Sequence, residues 1–153
     1  MVKILFVCHG NICRSPMAEF VMKDIVKKKR VASKFEIASC ATSTEAIGET
    51  VYPPAKKKLA EHNISCAGKI ARQMTKADYK DYDYIIAMDR NNLRNMARFA
   101  EDDPDKKISL LMDYTNRPGD VRDPWYTGDF EETWKDILEG CLGLFERLEG
   151  AKL

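Results

Sequence analysis

Short apolar runs alternate along the chain with longer segments in which apolar residues recur every three or four positions. Runs of consecutive apolar or β-branched residues are typical of strands that are buried on both faces of a parallel sheet. Four such runs occur: Ile4–Cys8, Phe35–Ala38, Tyr84–Met88 and Ile108–Met112. We therefore predict four buried strands at these positions.

The segments between these runs have the spacing of amphipathic helices. Met17, Val21 and Ile25 recur at intervals of four, which places them on one face of a predicted helix that runs from about Pro16 to Arg30. Further helices are predicted after the Pro53-Pro54 start signal, after Arg90 and, with the clearest apolar stripe, from about Phe130 to Leu148.

Alternating strands and helices indicate an α/β fold. We predict a single-domain, four-stranded parallel sheet that is flanked by helices on both faces. Ligands of such sheets bind beyond the carboxyl ends of the strands. Cys8 ends the first predicted strand, so its thiol is expected at that edge, where a loop leads into the first helix.

Composition limits the possible partners. The chain has 153 residues, and we expect one domain over residues 1–153. Its 25 basic and 24 acidic residues leave a net charge of +1, which favours neither nucleic acid nor a membrane surface. The five cysteines are scattered, no secretory signal precedes them, and no apolar run approaches the ~18 residues of a membrane span. We expect a cytoplasmic monomer with reduced thiols.

The loop after Cys8 carries the most informative chemistry. It makes a tight turn from strand to helix, and a turn of this length lets successive backbone N–H groups converge on an anion at a helix N-terminus. Gly10 permits close backbone approach, and Asn11 tolerates a positive φ angle. We predict a phosphate-binding loop after the first strand, formed by His9, Gly10, Asn11, Ile12, Cys13 and Ser15.

The residue types of this loop fit a cysteine-dependent phosphatase. The planar guanidinium of Arg14 can bind two phosphoryl oxygens at once. The positive potential of the loop favours the thiolate form of Cys8, which is the candidate nucleophile. The Ser15 hydroxyl lies where it can donate a hydrogen bond to that thiolate, the alternative being a plain N-cap of the helix. His9 and His62 lack further ligands at metal spacing, so we expect no metal and no cofactor.

A phosphatase also benefits from a general acid that protonates the leaving oxygen. Asp123 is the candidate because it precedes a proline in a loop rich in turn-forming residues. The rings of Trp125 and Tyr126 follow it and can hold an aromatic leaving group. Asp120 and Asp129 are the alternatives if Asp123 only positions the loop.

Two motifs resemble the signatures of the low-molecular-weight protein tyrosine phosphatases. Residues 7–19 read V-C-H-G-N-I-C-R-S-P-M-A-E and residues 123–126 read D-P-W-Y, and the likeness continues through A-R-Q at 71–73 and A-M-D at 87–89. The resemblance implies hydrolysis of phosphotyrosine, in a protein or a small aryl phosphate, with inorganic phosphate as product. It also implies roles: Cys8 as nucleophile, Arg14 for phosphate binding, Asn11 and Ser15 for loop shape, Asp123 as acid and then base, and Asp89 as a support behind them.

Two positions depart from the family pattern. Glu45 stands where family members often carry an aromatic residue, so the substrate pocket expected from Glu45, Trp125 and Tyr126 has one acidic wall. Lys69 replaces a histidine that is common just before the A-R-Q segment. Both changes concern substrate preference and the surroundings of the site rather than the reaction.

The loop also contains a second cysteine. A tightly curled loop brings Cys13 within disulfide reach of Cys8, and we expect a reversible redox lock between them, the alternative being that Cys13 is a small buried hydrophobic residue. Cys40, Cys66 and Cys141 are interpreted as buried structural residues.

Three other functions could use the same loop. An arsenate reductase would need a close pair of downstream cysteines, whereas Cys66 stands alone in that region. A non-hydrolytic phosphocarrier that stores phosphate on Cys8 has no use for Arg14 together with Asp123. A protein arginine phosphatase keeps the mechanism, but the resemblance associates that substrate with a threonine where this chain has Ile12. We favour phosphotyrosine hydrolysis.

Overall fold

A computed structural model describes residues 1–150, and these contain one sheet of four parallel strands. The strands are β1 (Val2–Cys8), β2 (Phe35–Ala41), β3 (Tyr84–Ala87) and β4 (Ile108–Leu110). Their order across the sheet is β2-β1-β3-β4, so β1 lies between β2 and β3. The last three residues of the predicted domain, 151–153, lie outside the described residues.

Helices connect these strands and follow the last one. They are α1 (Arg14–Lys28), α2 (Pro53–Glu61), α3 (Lys76–Asp81), α4 (Arg90–Ala100), α5 (Pro124–Thr127) and α6 (Phe130–Gly150). Two 3₁₀ helices, Ala32–Lys34 and Leu111–Tyr114, precede β2 and follow β4. No helix within residues 1–150 combines the length and the apolar character that crossing a membrane requires.

Side chains alternate between the two faces of β1, and helices cover each face. Ile4 and Phe6 pack with residues of α1, α2 and α6, whereas Leu5 and Val7 pack with residues of α3 and α4. All four side chains are fully buried, and each such burial contributes on the order of 1.5–3 kcal/mol. The predicted α/β fold, with helices on both faces of a four-stranded parallel sheet, is confirmed.

Strands β3 and β4 end earlier than predicted, because side-chain oxygens of the following segments accept hydrogen bonds from N–H groups at their ends. The N–H of Met88 donates to Oδ1 of Asn92 at 3.1 Å, and Asp89 caps α4. The N–H of Leu110 donates to Oδ2 of Asp113 at 3.0 Å as the chain turns into the 3₁₀ helix. Both strands therefore stop short of the methionines at which their apolar runs end.

Other boundaries also differ from the prediction. β1 begins earlier, at Val2, β2 extends to Ala41, and α1 begins at Arg14, so the guanidinium belongs to the first helical turn. The prediction lacks α3, because its six residues are too few for an apolar stripe. Its sequence signal is a capping box, in which the side chains of Thr75 and Asp78 accept hydrogen bonds from each other's N–H groups.

Two glycines let α6 approach the segment that leads to the Asp123 loop. A β-carbon at Gly143 would overlap the carbonyl group of Tyr114, and one at Gly140 would overlap the side chain of Leu111. Larger residues would push α6 away from this 3₁₀ helix. The close packing thus supports the start of the loop that carries the candidate acid.

Candidate active site

Residues 9–13 connect β1 to α1, and the hydrogen bonds of the neighbouring carbonyl groups orient several N–H groups of this loop. Three carbonyl groups here accept hydrogen bonds from neighbouring segments: Cys8 from Thr42 at 2.9 Å, His9 from Ser43 at 3.1 Å and Ile12 from Tyr52 at 2.9 Å. A carbonyl group and the N–H that follows it in a trans peptide point in opposite directions. The N–H groups of His9, Gly10 and Cys13 are therefore turned toward the pocket that these residues line. This orientation of the N–H groups is the one that the predicted anion cradle requires.

The sulfur of Cys8 receives two short contacts. Its Sγ atom is 3.3 Å from the backbone nitrogen of Asn11 and 3.1 Å from Oγ of Ser15. Oγ of Ser15 accepts a hydrogen bond from Nδ2 of Asn11 at 2.7 Å, and in the thiol form it also accepts from Sγ of Cys8 while its hydroxyl donates to the carbonyl of Cys40 at 3.4 Å. When Cys8 is a thiolate, the Ser15 hydroxyl can donate to the sulfur instead. Ser15 lies inside α1, whose N-cap is Cys13 and has no side-chain cap, so the capping alternative for Ser15 is wrong.

Asn11 holds the loop in shape. Its φ angle is 59°, in the left-handed region that asparagine tolerates. Its side chain is buried and fully paired, since Oδ1 accepts the N–H of Arg72 at 3.2 Å and Nδ2 also donates to Oγ of Ser39 at 2.9 Å. Asn11 thereby ties the loop to β2 and to the segment before α3.

Lys69 belongs to the same hydrogen-bond network. Oγ of Ser39 donates to Oε1 of Glu19 at 2.6 Å, and Nζ of Lys69 donates to the carbonyl of Ser39 at 2.9 Å while lying 3.6 Å from Oε1 of Glu19. Burial lowers the pKa of Lys69, while the Glu19 charge opposes that effect. Lys69 does not line the pocket, and its contacts with Ser39 and Glu19 connect it to the loop through Asn11.

Arg14 is 2% exposed and is held from one side. Nη1 donates to Oδ2 of Asp89 at 2.6 Å and to the carbonyl of Val121 at 2.8 Å, while Nη2 lies 3.4 Å from Oδ2 of Asp123. Burial alone would lower the pKa of Arg14, but Cys8, Asp123 and Asp89 outweigh it and raise the pKa. Both hydrogens of Nη1 are engaged and one hydrogen of Nη2 is directed to Asp123, so the Nε hydrogen and the second hydrogen of Nη2 remain to bind phosphate. The predicted support from Asp89 is a direct ion pair.

Asp123 lines the pocket and caps α5. Its Oδ1 atom accepts the N–H of Trp125 at 3.0 Å, so proton transfer falls to Oδ2, which lies 3.4 Å from Nη2 of Arg14. Asp120 and Asp129 instead accept backbone N–H groups outside the pocket, and neither lines it. Among the three aspartates considered from the sequence, geometry therefore favours Asp123.

The pocket has a volume of about 260 Å³, with aromatic and acidic walls. Trp125 and Tyr126 line it and are 56% and 83% exposed. Glu45 also lines it, and its Oε2 atom is 2.8 Å from Nε2 of His9. All three predicted pocket residues therefore reach the pocket, whereas the loop-shaping Asn11 and Ser15 do not line it.

Three residues around the pocket were not predicted from the sequence. Ala46 and Glu49 line it, and the ring centroid of Tyr52 lies 4.9 Å from that of Trp125. All three belong to the connection between β2 and α2, which has no hydrophobic period. Gly48, with a φ angle of 88°, marks a turn in this connection, but a turn signal does not tell which surface the turn faces.

Cys13 lines the pocket together with Cys8, and both thiols are free. Burial raises the pKa of Cys13 to about 12, with Cys8 and Asp123 adding to the effect and Arg14 opposing it. Cys13 is therefore protonated at neutral pH. The remaining cysteines are buried and free, as interpreted from the sequence, and burial raises the pKa of each: Cys40, Cys66 and Cys141.

Comparison with known proteins finds one family along nearly the whole chain. The sequence model of the family described as low molecular weight phosphotyrosine protein phosphatase matches residues 3–152. The low molecular weight protein-tyrosine-phosphatase YfkJ of Bacillus subtilis is 38% identical over 154 residues, which is 99% of each chain. The low molecular weight phosphotyrosine protein phosphatase of Gallus gallus is 38% identical over 149 residues, 94% of each chain.

Solved structures show the same similarity. The crystal structure of YfkJ matches with a TM-score of 0.96, covering 100% of this chain and 98% of that chain. A structure titled as a Drosophila arginine phosphatase is 30% identical and matches with a TM-score of 0.87, covering 96% of this chain and 98% of that chain.

Proposed function

The chain belongs to the low molecular weight phosphotyrosine protein phosphatase family, and we propose that it hydrolyses phosphotyrosine, in a protein or a small aryl phosphate monoester, through a thiophosphate intermediate on Cys8. The observation that carries this proposal is that the sulfur of Cys8, the guanidinium of Arg14 and the carboxylate of Asp123 line one pocket. A nucleophile, a cation that binds phosphate and an acid are the groups that this reaction uses.

In the first step the phosphate of the substrate binds against the loop N–H groups and the free N–H groups of Arg14. The Cys8 thiolate attacks phosphorus, the S–P bond forms, and the bond from phosphorus to the aryl oxygen breaks. Oδ2 of Asp123 transfers its proton to the leaving oxygen, so the alcohol departs neutral. Arg14 and the loop N–H groups stabilise the charge on the equatorial oxygens in the transition state.

In the second step a water molecule attacks phosphorus while the Asp123 carboxylate removes its proton. The S–P bond breaks, and the electron pair returns to the sulfur of Cys8. The Ser15 hydroxyl and the Asn11 N–H, 3.1 and 3.3 Å from that sulfur, stabilise the departing thiolate. Inorganic phosphate is the product, and the enzyme returns to its starting protonation state.

The walls of the pocket support an aromatic phosphate ester as substrate. The rings of Trp125 and Tyr126 offer apolar faces to a phenyl group, which favours phosphotyrosine over phosphoserine. Ile12 also lines the pocket, and its apolar side chain offers no hydrogen bond to the guanidinium of a phosphoarginine. We therefore propose phosphotyrosine rather than phosphoarginine, although one similar structure is titled as an arginine phosphatase.

The proposed mechanism requires that the Cys8 thiol stays reduced. All five cysteines lie among the described residues and are free, and a thiolate nucleophile stays active only where it is kept reduced. We propose that the protein acts in the cytoplasm as a monomer. The net charge of +1 supports a protein that works without a nucleic acid or membrane partner.

Turnover of p-nitrophenyl phosphate and of a phosphotyrosyl peptide tests the proposal directly. Phosphoserine, phosphoarginine and arsenate are the comparison substrates, and Cys8→Ser is the decisive variant. We expect Cys8→Ser to lose turnover but still bind vanadate, because the loop N–H groups and Arg14 remain. Cys66→Ser is the matched control, since it removes a buried thiol outside the pocket. A Cys8→Ser enzyme with a tenth or more of the parent rate would overturn the mechanism.

A further inference from the structure

A second cavity lies next to the catalytic pocket and shares one wall with it. It has a volume of about 410 Å³, and Ile12, Glu49 and Trp125 line both cavities. Its other lining residues come from the connection between β2 and α2 and the start of α2: Thr50, Val51, Tyr52 and Pro53. The two cavities therefore form one groove, which leads from the phosphate-binding loop over Glu49 and along the Tyr52–Trp125 pair.

The Glu49 carboxylate has no ion-pair partner among residues 1–150. Glu45, the other glutamate of the catalytic pocket, has its Oε2 atom 2.8 Å from Nε2 of His9 and does not line the second cavity. The backbone of Glu49 is fixed, because its carbonyl accepts the N–H of Ala71 at 2.9 Å, and the N–H of Gly48 donates to the carbonyl of Ala71 at 3.0 Å. The second cavity thus has one acidic lining residue, Glu49, whose side chain is exposed and has no ion-pair partner among residues 1–150.

The aromatic pair beside this charge favours the same kind of partner. The ring centroids of Tyr52 and Trp125 are 4.9 Å apart, with an interplanar angle of 51°, and both residues line the groove. Aromatic faces attract cationic side chains and also cover the aliphatic stems of lysine and arginine. A carboxylate next to aromatic faces is complementary to a basic side chain and repels an acidic one.

We infer that the groove binds the residues that flank phosphotyrosine in a peptide substrate, and that Glu49 selects substrates with lysine or arginine in that flank. The inference rests on the proposed function, since the substrate must enter through the catalytic pocket. A phosphotyrosyl peptide has flanking residues that remain outside the catalytic pocket, and Glu49 lines both that pocket and the second cavity beside it. A small aryl phosphate has no flanking residues and does not reach the groove.

The test compares matched phosphotyrosyl peptides that carry a single arginine, glutamine or glutamate, moved in turn along the flanking positions. For the position that contacts the groove, we expect kcat/KM to be about two- to fivefold higher with arginine than with glutamine, and lower again with glutamate. The difference should lie in KM and shrink as salt is added. Glu49→Gln should bring the ratio of kcat/KM for the arginine peptide to kcat/KM for the glutamine peptide to about one. Glu49→Lys should bring this ratio below one.

Two controls make the outcome specific. Glu45→Gln should change the ratio less, because Glu45 does not line the second cavity. Glu146→Gln should leave the ratio unchanged, since Glu146 is exposed on α6 outside the groove. Using a ratio removes any general effect of a substitution on catalysis. If the parent enzyme hydrolyses all peptides equally, or keeps its preference in Glu49→Lys, the inference is overturned while the proposed function stands. If no peptide is hydrolysed, both are overturned.

Discussion

Nη1 of Arg14 lies 2.6 Å from Oδ2 of Asp89, and this ion pair joins residues 75 positions apart at the carboxyl edge of the sheet. Arg14 begins α1 and Asp89 caps α4, so the pair connects the helices that follow β1 and β3. The carbonyl of Val121 takes the second hydrogen of Nη1 at 2.8 Å. The guanidinium is therefore oriented before a substrate arrives, which reduces the cost of ordering it in the transition state.

Replacing Arg14 by lysine should lower kcat on p-nitrophenyl phosphate by about 10²-fold or more, because an ammonium group cannot contact two phosphoryl oxygens in a fixed plane. Asp89→Asn should lower kcat less, since Arg14 and its charge remain. Initial-rate measurements over a range of substrate concentrations give kcat and KM for both variants. An unchanged kcat for Arg14→Lys would mean that Arg14 serves only the start of α1.

Asp123→Asn tests the general acid without disturbing the loop, since the amide oxygen can still accept the N–H of Trp125. We expect losses of roughly 10² to 10⁴-fold on substrates with poor leaving groups, and smaller losses on good ones. A series of aryl phosphates should show a steeper dependence of rate on the pKa of the leaving phenol in the variant. Equal, small losses across the series would make Asp123 a loop-positioning residue.

Ser15→Ala should slow the second chemical step more than the first. The Ser15 hydroxyl is 3.1 Å from the sulfur that departs as a thiolate, and a hydrogen bond to a charged group is typically worth about 1.5–3 kcal/mol. Rapid-mix measurements with p-nitrophenyl phosphate should then show a burst of nitrophenol followed by a steady rate at least about tenfold below that of the parent. A variant with no burst and an unchanged steady rate would contradict this role.

Mild peroxide should inactivate the enzyme reversibly if Cys13 captures oxidised Cys8. Peroxide converts the Cys8 thiolate to a sulfenic acid. The Cys13 thiolate then attacks that sulfur, the S–S bond forms, the S–O bond breaks, and the departing hydroxide takes a proton from solvent to become water. The pKa of Cys13, raised to about 12, limits its thiolate at neutral pH, so capture should become faster as the pH rises from about 6.5 to 8.5.

Peptide mapping detects the Cys8–Cys13 disulfide, and activity after dithiothreitol treatment shows whether the inactivation is reversible. The parent should show a Cys8–Cys13 link and regain activity, whereas Cys13→Ser should not recover. Sulfinic or sulfonic acid on Cys8 in the parent, without any link, would mean that no lock exists.

The buried thiols should make the fold less stable at alkaline pH. Cys141 is fully buried, and burial raises its pKa above the ordinary value of 9.0. Above about pH 9 the unfolded chain loses this proton while the folded chain keeps it, so the free energy of unfolding falls as the pH rises. A single group of this kind contributes a slope of at most about 1.4 kcal/mol per pH unit.

Urea denaturation at about pH 8 and pH 10.5 measures that slope. Cys141→Ala removes one buried thiol, so its free energy of unfolding should fall less between the two values than that of the parent. The tyrosines titrate in both proteins and cancel in the comparison. Identical slopes would show that the Cys141 thiol does not contribute.

The sequence by itself determined the fold class and the core of the catalytic loop. Apolar runs that are buried on both faces, separated by helical stripes, are local patterns, and each follows from the spacing of residues along one element. The distance along the chain from Cys8 to Arg14 is also local, so the chemistry of the loop was predictable without the fold. The ends of the strands were predicted less well. A capping residue such as Asp89 ends the preceding strand only because the next helix forms, and the apolar run itself does not show this.

Only the tertiary structure decided which distant side chains complete the site. The parallel order of the strands brings the carboxyl ends of β1 and β3 together, which pairs Arg14 with Asp89 and makes Asp123, rather than Asp120, the carboxylate that lines the pocket. Packing of the β2–α2 connection brings Glu49 to the rim. These contacts join segments far apart in sequence. The spacing of residues within one element does not predict them, because they depend on strand order and on how the connecting segments pack.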